Sequence, residues 1–243
     1  MIITGVSGGI GGALCRAFSG EGYRVIGIDR TVPSTDVVPD VFLELDLESL
    51  CRDPNVRDAA FARIREAVMD MPLHAIVNNA AIQVVKSAAE LTVTDWIATL
   101  HVNLLAPFLL VQGLLPELEA SRGAVVNISS IHARLTKRGF TAYATSKAAL
   151  DGLTRSLAVE LGARVRINAI APGAIATPML VAGFSGRVAQ QEALDAMHPV
   201  GRIGDPAEVA QLALYLVSDA AAFVNGAAVA LDGGIGGRLH DPD

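Results

Sequence analysis

Short, almost unbroken apolar runs alternate along the chain with longer stretches of helical period. Met1-Ile2-Ile3, Tyr23 to Ile28, Val41 to Leu45, Leu73 to Val77, Ala124 to Ile128, Val165 to Ile170 and Ala227 to Leu231 are such runs. Their brevity and their Val, Ile and Leu content predict buried strands. Between them, Gly12 to Phe18 reads as helix, and residues 53–70 place Val56, Ala60, Ile64 and Val68 at helical spacing. Thr92-Val93-Thr94-Asp95 has the form of an N-cap with its acidic partner, opening a helix through Trp96, Leu100 and Asn103. Pro107 lacks an N–H, which predicts a kink or an end to the first part of that helix. A further helix begins at Tyr143, and Asp205-Pro206-Ala207-Glu208 supplies cap, N1 proline and capping glutamate for the last. Residues 174–200 read as irregular. No linker, repeat or low-complexity run interrupts the series, which predicts one domain over 1–243 with a substrate-loop segment at about 174–204.

The junctions between runs carry the chemistry. Thr4-Gly5-Val6-Ser7-Gly8-Gly9-Ile10-Gly11-Gly12 joins the first strand to the first helix, and the second strand follows. Strand, glycine loop, helix and strand form the βαβ unit in which glycines admit a pyrophosphate to the helix N-terminus. Asp29 ends the second strand, where a carboxylate accepts from ribose hydroxyls and repels a 2′-phosphate, favouring NAD over NADP; the neighbouring Arg30 is a guanidinium that could accommodate that phosphate. Asn78-Asn79-Ala80-Ala81 closes the fourth strand and Ser129-Ser130 the fifth. Ligand contacts in open α/β sheets gather at the carboxyl ends of strands, so Gly5, Asp29, Asn78 and Ser130 are expected on one edge. Asn103 stands alone among apolar neighbours, as a buried latch or a site residue.

Composition narrows the classes. Hydrophobic residues at 51% against 18% charged describe a globular chain, and a net charge of −6 argues against a nucleic-acid surface. Cys15 and Cys51 are too few for a disulfide framework or a zinc site, and no metal is expected. The apolar run Leu104 to Leu115 holds Pro107, Gln112 and Gly113 and is shorter than a bilayer span, and no leader is visible before the glycine loop. These features predict a cytoplasmic protein without a membrane partner.

Tyr143 and Lys147 are one helical turn apart in Ala142-Tyr143-Ala144-Thr145-Ser146-Lys147. An ammonium beside a phenol favours the phenolate, which makes a candidate acid/base pair for alcohol and carbonyl chemistry.

Together, Thr4-Gly5-x-x-x-Gly9-x-Gly11, Asn78-Asn79-Ala80-Ala81, Asn103, Ser130, Tyr143-x-x-x-Lys147 and Pro172-Gly173 resemble the short-chain dehydrogenases/reductases, over essentially the whole chain. The resemblance implies a single α/β Rossmann domain with a parallel, doubly wound seven-stranded sheet ordered 3-2-1-4-5-6-7. It implies hydride transfer between a nicotinamide cofactor and a secondary alcohol or ketone. Tyr143 would be the acid/base, Lys147 would lower its pKa and hold the nicotinamide ribose, Ser130 would hold the substrate oxygen, and Asn103 would hold a relay water. Gly5, Ser7, Gly9, Ile10 and Gly11 would bind the diphosphate, Asp29 and Arg30 the adenosine ribose, Asp46 and Leu47 the adenine. Asn78 and Ala80 would lie on the ribose side, and Pro172, Gly173, Ile175 and Thr177 at the carboxamide. His132, Met179 and Phe184 are added as substrate contacts, and His198 as a further polar candidate. The apolar helices over 92–118 and 143–162 fit a homodimer or homotetramer. Two departures stand out: Ala81 replaces the family's usual glycine, and so little precedes Thr4 that a longer natural N-terminus is expected. A nucleotide sensor or scaffold without turnover, and an epimerase or dehydratase, are the alternative functions for the same fold.

Overall fold

A computed structural model describes residues 1–34, 36–69, 71–178, 180 and 188–239. Its strands are β1 (Ile2–Thr4), β2 (Ile26–Asp29), β3 (Val41–Glu44), β4 (Ala75–Asn78), β5 (Ala124–Ile128), β6 (Arg166–Pro172) and β7 (Ala228–Leu231). They form one sheet in the order β3-β2-β1-β4-β5-β6-β7, every pair parallel. The doubly wound α/β Rossmann order that the family resemblance implies is the one observed.

Alternate strand residues serve two cores. Ile2, Ile26, Ile28, Ile76, Val125 and Ile167 face one layer, built from α2 (Leu47–Arg52), α3 (Pro54–Val68), α5 (Ala106–Gly113), α6 (Leu115–Ser121) and α7 (Thr141–Leu161). Ile3, Ala75, Val77, Val126 and Ile170 face the other, built from α1 (Gly9–Gly20) and, later in the chain, α9 (Pro206–Val217). Both faces are thus covered, which is why the strands read as apolar runs rather than as alternating patterns. Each fully buried Leu, Ile or Phe contributes roughly 1.5–3 kcal/mol.

Polar groups interrupt these cores in an ordered way. Asn78 Nδ2 donates to Asn127 Oδ1 (2.8 Å), Asn127 Nδ2 to Thr154 Oγ1 (2.9 Å), and Thr154 Oγ1 to the Leu150 carbonyl (2.8 Å). This buried chain crosses from β4 through β5 into α7. Buried amides without partners are costly, and here the hydrogen bonds fix the helix against the sheet.

Several elements differ from the expected ones. The helix over 92–118 is α4 (Val93–Leu100), a π-helical turn at His101–Leu105, α5 and α6. Pro107 does not end it: the Ala106 N–H reaches back to the His101 carbonyl, a wider turn that absorbs the missing donor. The apolar rod is therefore longer than the sequence run suggests, 21 residues over Val93–Gly113. Long enough to cross a bilayer, it instead places Val102, Ala106, Leu110 and Val111 in the core. The segment read as irregular contains α8 (Val188–Met197), composed of good helix formers. Ala81 is not among the residues with positive φ, so its Cβ causes no backbone strain.

Candidate active site

The exits of β1, β2, β3 and β4 build a cleft at the carboxyl edge of the sheet. β1 runs into Gly5, whose φ of +67° suits glycine and whose added Cβ would lie 2.7 Å from the Ala80 Cα. Thr4 Oγ1 accepts from the backbone N–H groups of Asn79 and Ala80, and Asn79 Nδ2 donates to the Thr4 and Gly5 carbonyls, all at 3.0 Å. The glycine loop is thus bolted to the turn after β4. At its far side, a Cβ on Gly9 would meet Pro178 at 2.8 Å and Thr177 at 3.0 Å. The N-cap of α1 is Gly8, with no side-chain cap and no acidic residue in the first turn. Free N–H groups and the positive helix end are left there for an anion.

Asp29 closes β2 on this loop. Its Oδ2 accepts from the Ser7 N–H (3.0 Å), and its Oδ1 from the Arg30 N–H (2.7 Å) and from Thr31 N and Oγ1 (both 3.3 Å). One lone pair of Oδ2 remains for a further donor. Asp46 caps α2, accepting from Glu48 N (3.0 Å) and Ser49 Oγ (2.7 Å). The resulting space of about 590 Å³ is lined by the expected Gly5, Ser7, Gly9, Ile10, Gly11, Asp29, Arg30, Asp46, Leu47 and Thr177, with Ala80. Thr31, Ile82, Gln83 and Val102 also line it, and only adjacency to Arg30, Ala81 and Asn103 could have suggested them.

Asn78 does not belong to that lining. Its side chain points into the sheet and bonds Asn127, and its neighbour Asn79 turns to the glycine loop. Successive strand residues face opposite ways, so only one of the pair can take each role. Pro172 pairs with Leu231, Gly173 N donates to the Leu231 carbonyl at 3.0 Å, and Ile175 is buried beside a bridge to Gly204. Of that quartet Thr177 alone reaches the cleft. Met179 and Phe184 fall outside the described residues.

A second group of side chains lies where β5 meets α7. Ser130 is buried, and its Oγ accepts from the His132 N–H at 3.2 Å, leaving its own proton to donate. Lys147 is 2% exposed, donates to the Ile128 carbonyl at 2.7 Å and sits 5.7 Å from the centroid of the Tyr143 ring. Two ammonium donors remain beyond the Ile128 bond. Asn103, in the π turn, uses three of its side-chain positions: Oδ1 accepts from Ile82 N (2.9 Å), while Nδ2 donates to Ile82 O (2.9 Å) and Ser146 Oγ (3.0 Å). Ser146 Oγ in turn donates to the Tyr143 carbonyl at 2.7 Å. Asn103 therefore ties a cleft-lining residue to the helix that carries Tyr143. Its side chain keeps one lone pair on Oδ1, and its carbonyl lies four residues before Pro107 and lacks the usual α-helical donor.

Electrostatics depart from the expectation drawn from spacing. Burial raises the Tyr143 phenol above its ordinary value, and a hydrogen bond with Ser130 opposes that only in part. Burial brings Lys147 down from 10.5 to about 8, against the pull of the Asp151 carboxylate one turn on. Within the polypeptide, then, the lysine does not bring the phenol toward neutrality. His132 stacks on Phe140 (4.4 Å, 8°) and holds Thr136 Oγ1 at 3.0 Å, and its pKa is lowered by burial and by the Lys137 charge. His198 is buried at the end of α8, its Nδ1 donating to the Leu194 carbonyl at 2.8 Å, and its Nε2 has no partner among the described residues.

The sequence matches the family described as enoyl-(acyl carrier protein) reductase over residues 5–236. Protein FixR of Bradyrhizobium diazoefficiens is 39% identical, covering 96% of this chain and 85% of its own. Galactitol 2-dehydrogenase (L-tagatose-forming) of Cereibacter sphaeroides is 35% identical over 96% and 92% of the two chains. The ligand-free structure of Thermoplasma acidophilum aldohexose dehydrogenase superposes with a TM-score of 0.90 at 29% identity, covering 100% of this chain and 96% of the other. Sheet order, glycine loop and these likenesses together make the chain a member of the short-chain dehydrogenase/reductase family of oxidoreductases.

Proposed function

We propose that the protein is an NAD-dependent dehydrogenase of secondary alcohols, with a polyol or sugar as the favoured substrate class. The observation that carries this is the adjacency of two built features. One is a glycine-lined cleft with Asp29 at its β2 end; the other is a set of buried Ser130 and Lys147 with the half-buried Tyr143, joined to it through Ile82 and Asn103. The cleft fits a dinucleotide: glycines leave room where Cβ atoms would clash, α1 offers uncapped N–H groups, and Asp29 keeps one acceptor site. Asp29 disfavours a 2′-phosphate, while Arg30 is the residue that could tolerate one. The names of the galactitol and aldohexose relatives support the polyol or sugar class.

A bound nicotinamide would supply the hydride acceptor. Ser130 holds the substrate oxygen through the hydroxyl that otherwise faces the Tyr143 phenol, and Tyr143 Oη receives the alcohol proton as the C–H bond breaks. The two remaining Lys147 donors serve the ribose and the phenol. The Lys147 charge, joined by that of an oxidised nicotinamide, would bring a phenol that burial alone holds high down to a working range. The Asn103 carbonyl holds the water that passes the proton outward. A second copy would pair on the exposed Val93, Ile97 and Val159 of α4 and α7.

The test is binding of NADH and NADPH to wild type and Asp29→Ala, with a panel of polyols and secondary alcohols on NAD⁺ and Tyr143→Phe as control. Tighter NADH binding that Asp29→Ala abolishes, with turnover lost in Tyr143→Phe, is the expected result. Binding without turnover on any panel member supports a nucleotide sensor instead.

A further inference from the structure

α7 presents a problem at its first turn. Its N-cap residue is Phe140, which makes no side-chain cap, and no acidic residue sits in the first turn to complement the helix dipole. Helix ends without caps fray, since their first N–H groups have no partners. Yet Tyr143 lies in that turn, and a phenol that exchanges protons must be held closely, because displacement by about 1 Å costs on the order of a hundredfold in rate.

Aromatic contacts occupy the place of the missing cap. The His132 ring lies parallel to Phe140, 4.4 Å away and 8° from coplanar, and meets Tyr143 edge to face at 5.7 Å and 77°. Phe140 meets Tyr143 in the same manner at 6.2 Å and 75°. Both geometries are attractive ones for aromatic pairs. His132 is itself held twice: its N–H donates to Ser130 Oγ at 3.2 Å, and its Nδ1 is paired with Thr136 Oγ1 at 3.0 Å. Lys137 Nζ lies 4.9 Å from the Phe140 centroid and adds a cation to the stack.

We propose that His132 and Phe140 form a clamp that steadies the uncapped first turn of α7 and fixes the Tyr143 ring relative to Ser130. His132 is then a positioning residue acting through Tyr143, not a substrate contact. The proposal rests on the reading of Tyr143 as the acid/base and deepens it. His132 meets Ser130 through its backbone and Tyr143 through its ring, so one residue sets the distance between the two hydroxyls.

The experiment compares His132→Ala, which removes the ring, with His132→Phe, which keeps a flat ring but no titrating nitrogen. Steady-state rates are taken with NAD⁺ and whichever panel alcohol turns over. Ionisation of Tyr143 is followed by phenolate absorbance, with Tyr143→Phe as the blank for Tyr23 and Tyr215. For His132→Ala we expect kcat to fall about tenfold or more with KM for the alcohol little changed. Water then reaches the phenol, and its ionisation constant rises at least about threefold toward that of free tyrosine. His132→Phe should restore both. A rise in KM at unchanged kcat would make His132 a substrate contact and overturn the clamp, as would a His132→Phe variant no better than His132→Ala. If Tyr143→Phe turns over as well as wild type, the acid/base reading fails instead, and the phenolate titration still decides whether the clamp exists.

Discussion

Lys147 is buried to within 2% of completely, and burial holds its pKa at about 8 against 10.5 in a free side chain. That displacement is a stability statement. Below about pH 8 the lysine is charged in both folded and unfolded chains, and the folded state bears the full desolvation cost. Between about 8 and 10.5 the unfolded chain holds one proton more than the native one, so raising the pH favours the native state. At about 1.4 kcal/mol per pH unit, the gain over this window reaches roughly 3 kcal/mol. Lys147→Met removes the charge and keeps the length of the side chain. It also loses the hydrogen bond to the Ile128 carbonyl, a charged-group bond of about 1.5–3 kcal/mol, so near neutrality the variant should be within about 2 kcal/mol of wild type. As pH rises from about 7 to about 10, wild type should gain on the variant, with turnover absent from the variant throughout. Urea denaturation of both proteins across that range measures the difference. A difference that stays flat means that Lys147 does not titrate as a buried amine, and the reasoning fails.

Two further perturbations test the scaffold. Gly5→Ala places a Cβ 2.7 Å from the Ala80 Cα at a φ of +67°, so nucleotide affinity should fall by more than about tenfold with a lower melting temperature. Unchanged affinity by calorimetric titration would show that the loop relaxes freely. Thr154→Val removes the acceptor of Asn127 Nδ2 at constant shape, which should cost about 1–3 kcal/mol in urea denaturation, while Thr154→Ser stays close to wild type. If valine costs nothing, the buried chain from Asn78 to Leu150 is not holding the helix.

Much of this was legible because the sheet's logic is local. A strand that ends in glycines before a helix, an aspartate closing the next strand, and serines closing the fifth all declare themselves in sequence. What escaped depends on neighbours far along the chain. Asn78 and Asn79 are adjacent and chemically identical; pairing of β4 with β5 decides that the first bonds Asn127 and the second the glycine loop. Pro107 reads as a break, yet the break becomes a π turn because the helix on either side is packed in place. The spacing of Tyr143 and Lys147 gives their shared face but not their burial, and burial turned the expected direction of the phenol around. His132 and Phe140 meet across a loop, with no period to announce the contact.

The site's geometry is set by hydrogen bonds rather than by the apolar cores that surround it. Apolar burial is non-directional, so it can hold α7 on the sheet without deciding where along its length it stops. Side-chain amides contribute to that decision at several points, with Asn225 holding the Ala158 carbonyl near the end of the helix. Near its middle, Asn127 catches Thr154 from β5; near its start, Asn103 catches Ser146 and reaches through Ile82 to the cleft. The cleft floor is itself bolted to β1 by Asn79 and Thr4. A shift of α7 along its axis would break these amide contacts at once and leave buried amides unpaired, at about 1–3 kcal/mol each. The distance from the glycine loop to Tyr143 is therefore inherited from the register of β1, β4 and β5, and the polar residues in otherwise apolar strands are the means by which it is passed on.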